Sequence, residues 1–286
     1  MAAAPTLLRS LEDVHAFTRS LRASGRRLAL VPTMGFLHDG HLSLMREGRA
    51  RADVVAASIF VNPTQFGPRE DLARYPRDLE GDLAKCASAG VEAVFAPEPG
   101  AMYPAGYQTY VEVEGVSQGL CGERRPGHFR GVATIVTQLL ALFRPEVALF
   151  GEKDFQQLQV IRALNRDLHL GVDIVGMPTI REPDGLALSS RNAYLSPAER
   201  ERALSLSRGL KAAAALLARG ERSAQALTGA VRQELRAAEL REDYVDLVDP
   251  ELLRPLEQVA PGQRARLLVA AFAGTTRLID NGPLQG

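Results

Sequence analysis

Two textures of apolar and polar residues succeed each other along the chain, and they change near residue 180. Up to that point short, largely apolar runs recur: Leu28 to Val31, Ala52 to Val61, Val91 to Ala96, Val147 to Phe150 and Val172 to Val175. Unbroken apolarity over four to eight residues is what a parallel strand covered on both faces requires. Between the runs lie segments that suit helices: one capped by Ser10 and running to Ala23, one opening at Leu42, Arg77 to Ala89, Val132 to Phe143, and one leading from Gly151 to about Leu168. Thr109 to Val113 alternates like a further strand, whereas Gly119 to Arg130 reads as a polar, basic loop. This alternation predicts an α/β fold, a doubly wound parallel Rossmann-like sheet, over residues 1–179. Loops that follow parallel strands share the carboxyl edge of the sheet, where ligands gather. Residues 33–41, 62–67 and 150–154 are therefore expected together on that edge.

From Ile180 onward a polar turn, Arg181 to Gly185, precedes Leu188-Ser189-Ser190-Arg191-Asn192 and two Ala/Leu/Arg-rich helical stretches across Pro197 to Leu240. Strands are expected at Tyr244 to Val248, Ala265 to Phe272 and Thr275 to Ile279, with a turn at Ala273-Gly274. Residues 180–286 thus read as a smaller α+β domain that carries the Ser-Ser-Arg motif.

Composition narrows the classes of partner. A chain of 286 residues with 46% hydrophobic residues can bury a large core, and its formal net charge of zero argues against nucleic acid or an anionic membrane as a broad electrostatic partner. Cys86 and Cys121 form neither a disulfide framework nor a metal-ligand spacing. The first residues lack the basic flank and apolar core of a signal peptide, and no uncharged run of 18 apolar residues occurs, so a cytoplasmic location is expected. Of 34 basic residues only Lys85, Lys153 and Lys211 are lysines.

The candidate chemistry lies in the expected edge loops. After the first apolar run come Met34, Gly35, Phe36, Leu37, His38, Asp39, Gly40 and His41, a glycine-containing turn with two imidazoles at the start of a helix. Helix N-termini carry unpaired N–H groups and partial positive charge, a seat for phosphate. The His-x-x-His pair lacks the glutamate of a metalloprotease helix, which disfavours zinc. The turn resembles the signature of nucleotidylyltransferases. Lys153 stands at a helix start, where a cation opposes the helix dipole unless an anion binds there. Paired with the His-x-Gly-His turn, Leu188-Ser189-Ser190-Arg191 resembles the second phosphate-binding motif of adenylate-forming enzymes with this nucleotide fold, which implies hydroxyls and a guanidinium fork for departing pyrophosphate. Gln65 lies on one edge loop and Gln157 one turn beyond Lys153; two neutral amides can grip hydroxyls and a carboxylate without a salt bridge that would blunt it as a nucleophile. His128 reads equally as part of a basic surface loop and as a mobile wall over an anionic site.

Six segments in order, Pro32 to His41, Val61 to Phe66, Tyr75 to Arg77, Gly127 to Val132, Phe150 to Gln157 and Leu188 to Asn192, resemble the pantothenate synthetase family. The resemblance implies a two-step ligase in which ATP and (R)-pantoate give pantoyl adenylate and pyrophosphate, after which β-alanine displaces AMP to form pantothenate. It implies that ATP contacts Met34 to His41, then Gly151, Glu152, Lys153, Asp154, Ile180, Leu188, Ser189, Ser190 and Arg191. Pantoate falls to Gln65 and Gln157, with β-alanine near Gln65. His41, His38, Lys153 and Arg191 are the implied catalytic set, with His41 as proton donor. Mg2+ arrives with ATP, its protein ligands unassigned, and the family is typically homodimeric. A nucleotidylyltransferase acting on a phosphate monoester is the nearest rival, expected to carry cations in place of the two glutamines. A catalytically silent nucleotide-binding regulator is the rival from another class.

Overall fold

In the computed structural model, which describes residues 4–68 and 70–286, the chain divides into two compact units. One comprises Met1–Glu152 with Gln157–Pro178, the other Lys153–Gln156 with Thr179–Gly286.

The first unit is built on six strands: β1 (Thr6–Leu8), β2 (Leu28–Thr33), β3 (Val54–Ile59), β4 (Ala93–Phe95), β5 (Val147–Gly151) and β6 (Asp173–Met177). They pair in parallel throughout, in the order β1-β4-β3-β2-β5-β6. Leu28 to Val31, Val54 to Ala57 and Ala93 to Phe95 are all buried, which accounts for their unbroken apolarity. The intervening helices are α1 (Leu11–Ala23), α2 (Asp39–Arg51), α3 (Leu79–Ser88), α4 (Pro99–Met102), α5 (Leu120–Arg124), α6 (His128–Phe143) and α7 (Phe155–Asp167). Ser10 caps α1 in a reciprocal pair with Asp13, satisfying N–H groups that the first turn cannot satisfy itself. From β2 the chain winds to β3 and β4 on one side, while β5 leads to β6 on the other. The order reverses between β2 and β5, and crevices at such points are where open α/β sheets take ligands. The loops after β2, β3 and β5 leave from this same carboxyl edge.

In the second unit residues 180–188 double back on themselves: Leu188 N–H donates to Ile180 O at 3.0 Å and Glu182 N–H to Leu186 O at 2.8 Å. Then come α8 (Pro197–Ala218), capped by Ser196 and Glu199 with Pro197 at its first position, and α9 (Ala224–Ala237). Strands β7 (Arg241–Val248), β8 (Arg264–Ala273) and β9 (Thr276–Gln285) form an antiparallel sheet in sequence order. Leu206, Leu210 and Ala213 of α8, Leu227, Val231 and Leu235 of α9, and Val245, Leu267 and Val269 of the sheet form one core. The doubly wound sheet and the smaller α+β unit are those the sequence predicts.

Four segments differ from expectation. β1 has three residues, too few for a periodic signal, and is held by pairing with β4. Thr109 to Val113 has no regular secondary structure and joins no sheet among the described residues; Val111 N–H donates instead to Thr134 Oγ1 at 3.0 Å. The expected loop from Gly119 to Arg130 contains α5 and the first turn of α6, because Gly119 and Gly127 take left-handed φ values and start a helix each. β9 runs past Ile279 through Asn281-Gly282-Pro283, which reads as a breaker. Proline is tolerated there because β9 is an edge strand.

Candidate active site

The turn after β2 is held from its interior. Thr33 Oγ1 donates to Ser58 O at 2.7 Å and accepts from Gly35 N–H at 3.2 Å. Gly35 has φ +85°, and a Cβ there would stand 2.9 Å from Ile59 Cγ2 and 3.0 Å from Asp82 Oδ2, so no larger residue fits. Asp82, on α3, is buried and accepts from Phe36 N–H and Leu37 N–H, each at 2.7 Å. Burial pushes its carboxyl above the usual carboxylate range, against the pull of these two N–H groups and of Lys85. Lys85 Nζ donates to Leu37 O at 2.9 Å. His38 is the N-cap of α2, and its N–H donates to His41 Nδ1 at 3.3 Å, the two rings lying 4.1 Å apart.

Two consequences follow for chemistry. Among the described residues, the turn's N–H groups from Gly35 to His38 and that of His41 have internal acceptors. Fewer N–H groups at this helix start would then be open to an anion than the length of the turn suggests. An imidazole that accepts at Nδ1 carries its proton on Nε2, so His41 is a donor at that nitrogen while neutral.

The loop after β3 presents Gln65 in a fixed orientation. Pro63–Gln65 is a 3-10 turn capped by Asn62. Asn62 is buried, and its amide donates to Gln65 Oε1 at 3.1 Å and to Gly131 O at 3.1 Å, while its oxygen accepts from Thr64 Oγ1 at 2.9 Å and Tyr103 OH at 2.8 Å. Burial pushes the Tyr103 phenol up to about 12, so it stays a donor. With Oε1 occupied, Gln65 directs its NH2 toward Met34, Nε2 approaching Sδ at 3.2 Å. A Cβ on Gly131 would stand 2.5 Å from Thr64 O and 2.6 Å from Gln65 N, so α6 passes this turn at glycine distance.

His128 resolves into neither surface loop nor mobile wall. It is buried at the start of α6, with Nδ1 2.9 Å from Gln65 O and Nε2 3.0 Å from Arg125 Nη1. An arginine only donates, so Nε2 accepts and Nδ1–H donates to the carbonyl. Arg125 in turn grips Glu70 with two nitrogens, at 2.8 and 2.6 Å. Burial raises the Glu70 carboxyl, but Arg125's hydrogen bonds and charge outweigh it, and the group ends below its usual range.

In the second unit Lys153 lies in the 3-10 turn Glu152–Asp154, with Nζ 3.9 Å from Asp154 Oδ2 and its side chain largely covered. Ile180 and Leu188 are hydrogen-bonded to each other across the doubled-back segment. Ser189 caps the following 3-10 turn, its Oγ accepting from Arg191 N–H at 3.2 Å, and Ser190 is buried. Asn192 secures this turn by donating to Glu182 Oε1 and Ala187 O. Of the two expected amides, Gln157 is half-buried on α7 in the same unit as Gln65, and no hydrogen bond joins them among the described residues.

Sequence reasoning missed Asp82, Asn62 and Arg125, which touch candidate residues, and Glu70, which holds Arg125. Asn62 stands inside a segment already singled out; Asp82 reads as an ordinary acid in a helix's first turn, and only the fold brings it to residues 36 and 37. Among the described residues no group of three or more His, Cys, Asp or Glu is placed to hold a metal ion, and no helix is long and apolar enough to cross a membrane.

The Pantoate-beta-alanine ligase family profile matches residues 6–283. Pantothenate synthetase of Myxococcus xanthus is 76% identical over 284 residues, covering 99% of this chain and 97% of its own, and that of Anaeromyxobacter dehalogenans is 61% identical, with 98% and 99% covered. Among solved structures, pantothenate synthetase of Thermus thermophilus superposes with a TM-score of 0.91 at 46% identity, over 97% of this chain and 98% of that one. Pantoate-beta-alanine ligase of Francisella tularensis, crystallised with a β,γ-ATP compound and β-alanine, gives 0.80 at 32%, over 98% and 97%. With the sheet, the His-x-Gly-His turn and the oriented Gln65 in place, the whole-length match shows that this chain belongs to the pantoate–β-alanine ligase family, the ATP-dependent ligases that join (R)-pantoate to β-alanine to give pantothenate, AMP and pyrophosphate through pantoyl adenylate.

Proposed function

We propose the following course of that reaction on this chain. Pantoate binds with its carboxylate and hydroxyls held by Gln65 and Gln157, the NH2 of Gln65 facing it because Asn62 occupies the other end of the amide. A carboxylate oxygen attacks the α-phosphorus of ATP, the bond to the bridging oxygen breaks, and pyrophosphate leaves. Met34 to His41 and Ile180, Leu188 and Ser189 to Arg191, with Gly151 to Asp154, contact the nucleotide. Negative charge grows on the bridging oxygen and pyrophosphate, and His38, His41, Lys153 and Arg191 offset it, with His41 donating from Nε2. Positioning and electrostatics carry most of catalysis in transfers of this kind. The β-alanine amine, bound near Gln65, then attacks the acyl carbon, AMP departs, and the amine proton is lost. Mg2+ would come with ATP and would neutralise phosphate charge. The protein works in the cytoplasm as a homodimer.

The observation that carries this reading is the His38–His41 contact, which puts the His41 proton on Nε2 beside the N-terminus of α2. Removing one such donor commonly costs about 10²- to 10³-fold in rate. Pantoate-dependent ATP–pyrophosphate exchange is expected to fall by that order in His41→Ala and in Lys153→Ala; near-native exchange in either variant refutes its role.

A further inference from the structure

Lys153 and the Ser189 to Arg191 turn are far apart in sequence, yet both are tied to one dipeptide near the C-terminus. Asn281 Nδ2 donates to Lys153 O at 2.8 Å. Its Oδ1 accepts from Arg266 Nε at 2.7 Å, and the Arg266 guanidinium lies 4.1 Å from the ring centre of Phe155, two residues past Lys153. The preceding residue, Asp280, is buried and takes both terminal nitrogens of Arg181, at 2.7 and 2.8 Å. Arg181 begins the doubled-back segment, bridging Ala187 and donating to Gly185 O at 3.1 Å, that delivers Leu188 and the Ser-Ser-Arg turn. Asp280 and Asn281 are linked in turn, since Asn281 N–H donates to Asp280 Oδ1 at 2.8 Å. Both sit in mid-strand of β9, locked in register opposite Val269 and Leu268 of β8.

We infer that Asp280-Asn281 is a positioning node: through Asn281 it sets the turn bearing Lys153, and through Asp280 and Arg181 it sets the segment bearing Ser189 to Arg191. The inference rests on reading those residues as nucleotide contacts. It gives the C-terminal hairpin a task in catalysis without touching substrate. Bidentate arginine to carboxylate and a buried amide with both ends occupied are geometries that tolerate little displacement, and a shift of about 1 Å in a positioned group can cost 10²-fold.

Double-mutant cycles test it. Asn281→Asp keeps the acceptor for Arg266 but loses the donor to Lys153 O; Asn281→Ala loses the donor without adding charge. Each is expected to lower pantoate-dependent exchange about 10- to 100-fold with the pantoate Kd held within about twofold, because Gln65 and Gln157 belong to the first unit. In a Lys153→Ala background the same changes are expected to alter the rate less than about twofold, since groups acting through one another are not additive. An equal fold-loss in both backgrounds, or no loss in the native one, overturns the inference. A Lys153→Ala variant with native exchange overturns the nucleotide reading itself, which separates the two failures. Should the Asn281 variants lose their cooperative thermal transition, Arg181→Gln combined with Arg191→Ala poses the same question through Asp280: non-additive losses support the node, additive ones refute it.

Discussion

A hydrogen bond made by one end of a side chain decides what the other end can offer. Asn62 takes Gln65 Oε1, which makes Gln65 a donor; the His38 N–H takes His41 Nδ1, which puts the proton on Nε2; Arg125 takes His128 Nε2, which sends Nδ1–H to Gln65 O. Gln65→Ala is therefore expected to weaken pantoate binding while ATP binding is nearly kept, as measured by calorimetry; equal loss of both ligands points to general misfolding. Asp82→Asn tests the buried clamp. One of its two backbone donors then meets an amide N–H instead of an oxygen, and a buried donor left without an acceptor costs about 1–3 kcal/mol. Thermal or denaturant unfolding is expected to report a loss of that size, together with reduced exchange. Unchanged stability would mean that Phe36 and Leu37 N–H groups find water or another acceptor.

At the scale of elements, close packing holds the substrate turn. Gly131 lets α6 approach Thr64 and Gln65 to within reach of the Asn62 amide, so Gly131→Ala forces the 3-10 turn away and is expected to raise the pantoate KM more than the ATP KM; equal changes would deny the turn its specific role. The Glu70–Arg125–His128 chain ties the loop after this turn to the helix opening at His128. Glu70's folded pKa lies below its unfolded value, so its contribution is present at neutral pH and is lost as pH falls from the unfolded value, roughly 4.3, through the folded one. Glu70→Gln is expected to flatten the native protein's loss of stability over that acid range; an identical acid profile in both proteins contradicts the pairing. The elements themselves were legible where burial imposes a pattern. Mostly buried, β2, β3 and β5 read as apolar runs, and Ser10 with Asp13 announced α1. Thr109 to Val113 alternates correctly for a strand but meets no strand partner among the described residues, and three-residue β1 owes its existence to β4.

For the whole molecule, local motifs carried more than their neighbourhoods did. The His-x-Gly-His turn, Gln65 and the Ser-Ser-Arg turn could be proposed from sequence because each stands in a short contiguous motif. Asp82 and Asn281 could not: each acts on a segment 45 or 128 residues away in the chain, a pairing that only the completed fold makes. That the Phe36 and Leu37 N–H groups are already taken, by Asp82, has the same origin. The measurement that addresses the central claim most directly is ATP–pyrophosphate exchange by the purified protein with Mg2+, run with (R)-pantoate and with other hydroxy acids, then repeated with β-alanine. Exchange that requires pantoate and gives way to AMP and amide product when β-alanine is added is the expected result; exchange indifferent to pantoate, or pyrophosphate release with no amide formed, would contradict it.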